Sequence, residues 1–212
     1  MQGRTIIAGA IVVGVLLLAG IAVVVAPDLT EIDAPTTTEA TLATAGQPDC
    51  LTDDAGACLR LPTVTGVDLD NDPVSLPSAF TTEYVLVIMP FDRDQQVLAA
   101  DWLPTFQDLA ATFDNLSYAS IAALPDLNAF GRTGVIVGMS AGVRDQTVRD
   151  ATAILFLDDQ QAFLDALAVD NNGQMQAFIM GQDGTLYWRA TGTYTPDQGD
   201  DLRDAWAFFV TP

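Results

Sequence analysis

The sequence predicts an α/β domain built on a mixed sheet. Three observations predict it. "EYVLVIMPF", Glu83 to Phe91, is an apolar run without alternation, the pattern of a strand covered on both faces. Strand-like runs then alternate with segments of helical period. The chain closes with a hairpin turning at Asp183-Gly184 and an amphipathic helix, "DQGDDLRDAWAFF".

Two segments precede that domain. Ile6 to Ala26 holds 21 residues without a charge. As a helix it would be about 31 Å long, the thickness of a bilayer core. Arg4 precedes it, while Asp28, Glu31 and Asp33 follow, so the positive-inside rule keeps residues 1–5 cytoplasmic and sends the rest outward. The run exceeds a usual signal core, and Pro27 would suit a signal peptidase poorly, so 6–26 reads as an uncleaved anchor. Residues 27–48 are rich in Thr, Ala and Pro and have no aromatics. Such a segment buries too little to offset its ordering entropy and reads as a flexible linker. The expected location is therefore the cell membrane, with residues 49–212 on its extracytoplasmic, periplasmic side.

Cys50 and Cys58 open the domain and flank "LTDDAGA". Outside the cytoplasm, a pair that close reads as a disulfide staple. A redox-active pair is the alternative. Against it, the spacing is not C-x-x-C, and Asp49, Asp53 and Asp54 would raise a thiol pKa.

"TVTGVDLDNDPVSLPSAF" reads as two short strands around an Asp-Asn-Asp-Pro turn. Asp68, Asp70 and Asp72 imitate a calcium loop, but Pro73 stands where that loop needs Gly and no Glu closes it. After the long apolar strand, Asp92 makes a helix N-cap with Gln95 in the reciprocal position. Leu98, Trp102, Phe106, Leu109 and Phe113 then mark one apolar helix face, which Pro104 should kink. "LSYASIAALP" is a strand, 128–150 a glycine-broken helical stretch, "ATAILFLDD" a strand and "QQAFLDALAV" a short helix. The hairpin and final helix follow.

The bulk numbers exclude several functions. Of 28 acidic residues, 25 are Asp, set against 8 Arg and no Lys or His, for a net charge of −20. Such a surface repels nucleic acid. Without histidine there is no Ser-His-Asp or Cys-His catalysis and no His-based zinc site. No cofactor or metal is expected.

This order of elements resembles the thioredoxin superfamily from Pro62 to the C-terminus. The likeness rests on the strand leading into a proline-kinked helix, on "GQDGTLYWRATG" and on the opening "GVDLDNDPVSL". The fold it implies is a thioredoxin-like mixed sheet flanked by helices, here preceded by one transmembrane helix. In that family the kinking proline lies five residues after the second active-site cysteine. Counting back from Pro104 assigns the two positions to Gln96 and Ala99, neither of which can carry thiol chemistry. A peroxiredoxin pattern starts at Pro90 and Asp92 and fails at Asp94 and Val97, and "NNGQMQ" lacks the family's cis-proline. The segments "QQVLAADWLPTF", "GMSAGVRDQTVRDATAILFLDDQQAFLDALAVDN" and "LYWRATG" resemble the Atp10 family of ATP synthase assembly factors, whose domain also lacks the cysteine pair. That resemblance implies a membrane-tethered assembly factor or chaperone with a protein partner, and no catalytic residue.

Candidate sites follow. Asp94, Gln95 and Gln96 border the former active site, as ordinary first-turn residues or as a polar lip for a peptide. Arg132, Arg144 and Arg149 are the densest positive cluster and could dock an acidic partner, although Arg144 and Arg149 also read as a face with local Asp145 and Asp150 pairs. Tyr187 and Trp188 alternate in a strand, so one should face outward beside Arg189 and suit a protein interface. Two further readings stay open. One is an oxidoreductase using Cys50 and Cys58; the other is a degenerate peroxiredoxin-like domain, which an apolar pocket near Val97 would favour.

Overall fold

At the centre lies strand β3 (Tyr84–Met89), all six residues buried. Its parallel neighbour is β4 (Leu116–Pro125) and its antiparallel neighbour β6 (Gln176–Gly181). The computed structural model describes residues 49–210. The expected anchor and linker lie outside the described residues, and among those described no helix is long and apolar enough to cross a membrane.

The strands β1 (Val64–Asp68), β2 (Pro73–Leu76), β5 (Thr152–Leu157) and β7 (Leu186–Thr191) complete one sheet. Its order is β2-β1-β5-β4-β3-β6-β7. β3, β4 and β5 run parallel, while β1 pairs antiparallel with β5, and β6 with β7. This is the mixed sheet that the alternating pattern predicts.

Helices cover both faces, because every buried strand presents side chains on alternate sides. Leu86 and Ile88 face a layer made by α2 (Leu103–Thr112) and α6 (Pro196–Val210), with Trp102, Phe106, Leu202 and Trp206 in it. Val85, Val87 and Met89 face α5 (Gln160–Ala166) through Phe163 and Leu164. The 128–150 stretch divides into α3 (Ala129–Gly142) and α4 (Gln146–Asp150).

The helix expected after Asp92 is two helices, and this corrects the kink. α1 (Arg93–Ala99) ends before Trp102, and Pro104 is the second residue of α2. In a first turn the missing N–H of proline is one the helix leaves unpaired anyway. Tighter bonds, Trp102 N to Ala99 O at 3.2 Å and Leu103 N to Ala100 O at 3.3 Å, carry the chain round the break. The break also turns Leu98 out of the predicted apolar face, to 41% exposure, while Trp102 and Phe106 are fully buried.

The excess of Asp over Glu has a local cause here. Asp92, Asp145 and Asp159 cap α1, α4 and α5 by accepting from backbone N–H groups. Asp53, Asp68 and Asp183 close turns in the same way, Asp68 accepting from Asp70 N and Asp72 N. A short side chain reaches the N–H groups just after it with few rotors to fix, so Asp suits these caps and turns better than Glu.

Candidate functional site

The junction from β3 into α1 is where the resemblance places a reactive pair. Asp92 is the N-cap and its Oδ1 accepts from Gln95 N at 2.9 Å. The Gln95 side chain folds back, its Oε1 accepting from Phe91 N at 2.9 Å and its Nε2 donating to Asp92 Oδ2 at 3.0 Å. The reciprocal cap therefore forms one residue earlier than the pattern predicts, at Phe91 instead of Asp92. Gln95 Nε2 also donates to Asn172 O at 2.6 Å. Gln160 extends the network, donating to Ala123 O at 2.7 Å and accepting from Asn172 Nδ2 at 3.1 Å. Side-chain amides thus tie four chain segments together at the C-terminal end of the parallel strands.

Gln95 is buried, so it is not the polar lip considered for it. Asp94 is exposed in the first turn, and Gln96 is half-buried. Ala99 packs into the layer around Trp102. Gln160 and Asn172 were missed at the sequence level. Their signal, an amide at the edge of a helix and another in a polar loop, is indistinguishable from a solvated residue.

Beside the junction lies a groove of about 800 Å3 between α1 and α3, floored by β4. Gln96 and Ala99 line it, as do Val97, Leu103 and Leu124. An apolar groove beside Val97 is the feature that the ligand-binding alternative called for. Its opposite wall is α3, whose Gly134, Gly138 and Gly142 have nothing within 4 Å of where a Cβ would stand. α3 itself buries none of its residues.

The cysteines are joined as a disulfide with Cα atoms 5.6 Å apart. The loop is held to the start of β7 by Leu51 N to Leu186 O at 2.8 Å, and the segment just after it to the β6–β7 turn by Leu61 N to Gly184 O at 2.8 Å. That turn lies beside Tyr84, the first residue of β3, whereas α1 follows Met89, the last. The bond and the junction are therefore at opposite ends of the sheet, separated by roughly 15 Å or more of strand. Beside the disulfide loop, Arg60 pairs with Asp183 at 3.0 Å. Burial pushes the Asp183 carboxyl up, but hydrogen bonds from Thr185 and the Arg60 charge outweigh it and hold it below its ordinary value. Burial, followed by the Asp183 charge, raises the neighbouring Tyr187 hydroxyl.

The expected arginine cluster is not a free positive patch. Arg132 is bound to Asp126 and Leu127 O and lies over the Phe156 ring. Arg149 reaches Asp70 at 2.6 Å and the Ser140 carbonyl at 3.0 Å. Asp145 is spent on the α4 cap and Asp150 on Gln146, so the expected local ion pairs do not form. Arg144 makes no hydrogen bond or ion pair among the described residues. The aromatic pair also differs from expectation. The β6–β7 register shifts beside Tyr187, pairing Ile179 with Trp188 but Met180 with Leu186. This bulge turns Tyr187 and Trp188 to one side. Trp188 is buried and donates to Asp201 at 2.9 Å, and Tyr187 packs edge-on against Tyr84 and Phe209. Arg189 donates to the carbonyls of Leu167 and Ala168 instead of pointing to a partner.

Comparison with known proteins places this geometry. No protein-family model matches the chain, and no curated protein matches it. Solved structures do match. BsSco, a member of the Sco family of cytochrome c oxidase assembly proteins, aligns at a TM-score of 0.51 and 16% identity, covering 78% of this chain and 99% of its own. The fold is thioredoxin-like. A putative electron transfer protein from Aquifex aeolicus VF5 aligns at a TM-score of 0.51 and 10% identity, over 71% of this chain and 96% of that one. The thioredoxin domain of a thiol-disulfide oxidoreductase from Bacteroides vulgatus gives a TM-score of 0.45 at 17% identity, covering 73% and 99%. At such identities the likeness reaches the fold and stops there. What this chain does with a thioredoxin-like fold must come from its own side chains, and at the β3–α1 junction those are a carboxylate and two amides.

Proposed function

We propose that this thioredoxin-like domain is a binding module, held at the extracytoplasmic face of a cell membrane by residues 6–26, which engages a protein through the groove between α1 and α3. The observation that carries the reading is the groove itself. It opens beside the positions of the family's chemistry, and Gln96 and Ala99, which line it, supply no nucleophile. A cleft kept where a thiol site has gone is a binding surface. Its walls are mostly apolar, as a protein interface core requires. The resemblance to the Atp10 family supports an assembly or chaperone role, and the description of BsSco as an oxidase assembly protein is consistent with one. The net charge of −20 argues against nucleic acid.

The test pairs two measurements. A photocrosslinker at Val97 in native membranes should give a discrete adduct that the same group at exposed Phe208 does not. The purified chain should turn over no disulfide substrate at a rate above that of its Cys50→Ser/Cys58→Ser variant. Turnover that requires those cysteines would overturn the binding-module reading and establish an oxidoreductase. A second reading, a pocket for a small apolar ligand, is favoured by the same groove at Val97; a copurifying ligand lost on filling the groove would establish it.

A further inference from the structure

The charge around the groove is more informative than its apolar walls. In a chain with 28 carboxylates, none lines the groove, and its one charged lining residue is Arg93. Eight arginines less Arg4, which lies outside the described residues, leaves seven. Five of these are engaged: Arg60, Arg132, Arg149 and Arg203 by carboxylates, and Arg189 by two carbonyls. The side chains of Arg93 and Arg144 make no hydrogen bond or ion pair among the described residues. Arg93 opens α1 at the C-terminal end of the parallel strands, where α3 also begins. Arg144 follows Val143, the C-cap of α3, at the other end. Arg93 lines the groove, and Arg144 directly follows Val143, which lines it near the far end of α3, a helix that at 14 residues is about 21 Å long.

We propose, on the basis of the binding-module reading above, that the groove receives a single apolar α-helix of a partner protein carrying a carboxylate near each end. Three alternatives fit the observations less well. A peptide added as a strand would need a free sheet edge, but the floor strand β4 is paired on both sides by β3 and β5, and a polyproline-type peptide would need aromatic walls that the groove lacks. An anionic amphiphile carries charge at one end and would leave one arginine unanswered. A second copy of this chain would bring another net charge of −20 against the first. A helix suits the wall as well. Gly134, Gly138 and Gly142 follow at four-residue intervals and leave backbone instead of side chains facing the open space, which permits close helix approach.

The full chain in lipid nanodiscs, with empty discs as the blank, would be titrated with a fluorescent synthetic helix of Leu and Ala flanked by Glu pairs. The expected result is saturable binding that weakens with salt and is absent for the same helix flanked by Lys. Arg93→Glu/Arg144→Glu should weaken it roughly tenfold or more. Gly138→Leu, at an exposed helical position where leucine is the better helix former, should abolish it without altering the circular dichroism. Binding unchanged by both variants, or equal for the Lys-flanked helix, would overturn the proposal. If the helix fails to bind while the Val97 adduct persists in membranes, the helical occupant is wrong and the binding module stands. If a fluorescent anionic acyl probe binds and depends on Arg93 but not Arg144, the groove is a small-molecule site. Loss of helix binding and adduct together removes both readings.

Discussion

Replacing Gln95 by Leu tests whether the amide network fixes the β3–α1 junction. The substitution removes an acceptor from Phe91 N and a donor from Asn172 O. Phe91 is 1% exposed, so its N–H cannot recover a water partner, and an orphaned buried donor costs about 1–3 kcal/mol. Asn172 is exposed, so its carbonyl is rehydrated at little cost. The N-cap itself survives, because Asp92 accepts from the backbone N of residue 95. Leucine returns a fraction of a kcal/mol in apolar contact, leaving a net loss of about 2 kcal/mol. Equilibrium urea unfolding followed by tryptophan fluorescence should then show the midpoint falling by about 1 M. Gln95→Glu is the informative control. It keeps an acceptor for Phe91 N but sets a second carboxylate against Asp92, so its deficit should shrink as pH falls toward the carboxylate range. A Leu variant within about 0.5 kcal/mol of the parent would refute the reasoning, since the Phe91 N–H would then have another partner.

Three further outcomes follow from other contacts. Cys50→Ser/Cys58→Ser opens a loop with a sequence separation of 8, which should lower stability by about 2.5 kcal/mol in urea unfolding while leaving the Val97 adduct intact. A Cβ added at Gly66 would stand 2.4 Å from the Ile154 carbonyl oxygen, so Gly66→Ala must push β1 off β5; amide exchange should show β1 and β2 losing protection before the central strands. Asp183 is held below its ordinary pKa, so its contribution is fully present above the unfolded carboxylate value near ~3.9 and is lost as pH falls through the folded value. Asp183→Asn should therefore flatten the acid limb of stability against pH, by less than ~1 kcal/mol because the side chain is 55% exposed.

The sheet was legible because its signals are local and redundant. The β3 run has no alternation because it has no solvent face, and Asp183-Gly184 is a turn because Gly184 takes a φ of 87°. The α1 cap was legible for the same reason, Asp92 and Gln95 declaring it within four residues, with the reciprocal bond falling on Phe91 N. What failed depended on partners distant in sequence. Arg149 and Asp70 are 79 residues apart, and nothing local to the arginine announces the bond that takes it out of a positive cluster. The alternation of Tyr187 and Trp188 failed because a bulge adds a residue to one strand without changing its composition. The groove was invisible for a further reason. The 128–150 stretch reads as a glycine-broken helix, and only the packing shows that its glycine face meets open space.

Counting from Pro104 and counting from the helix start give different positions for the thiol pair that the thioredoxin resemblance implies, and the difference is testable. Proline counting gives Gln96 and Ala99, but α1 begins at Arg93, so Gln96 is already one turn inside the helix. The residues at the helix start with the same three-residue spacing are Asp92 and Gln95, bonded to each other. A thiol becomes reactive at neutral pH where unpaired N–H groups and the positive end of a helix stabilise its thiolate. Within the helix, at residue 96, the N–H is committed and the thiol should titrate near the ordinary ~8.5. Two variants carrying the disulfide-free background Cys50→Ser/Cys58→Ser separate the alternatives. Asp92→Cys/Gln95→Cys should react with iodoacetamide with a pH midpoint at least about one unit below that of Gln96→Cys/Ala99→Cys. In the second variant, the thiol at buried position 99 should react slowest of all. If Gln96→Cys proves the more acidic, the proline count marks the position that the resemblance implies, and the Asp92 carboxylate with the Gln95 amide is an ordinary helix cap.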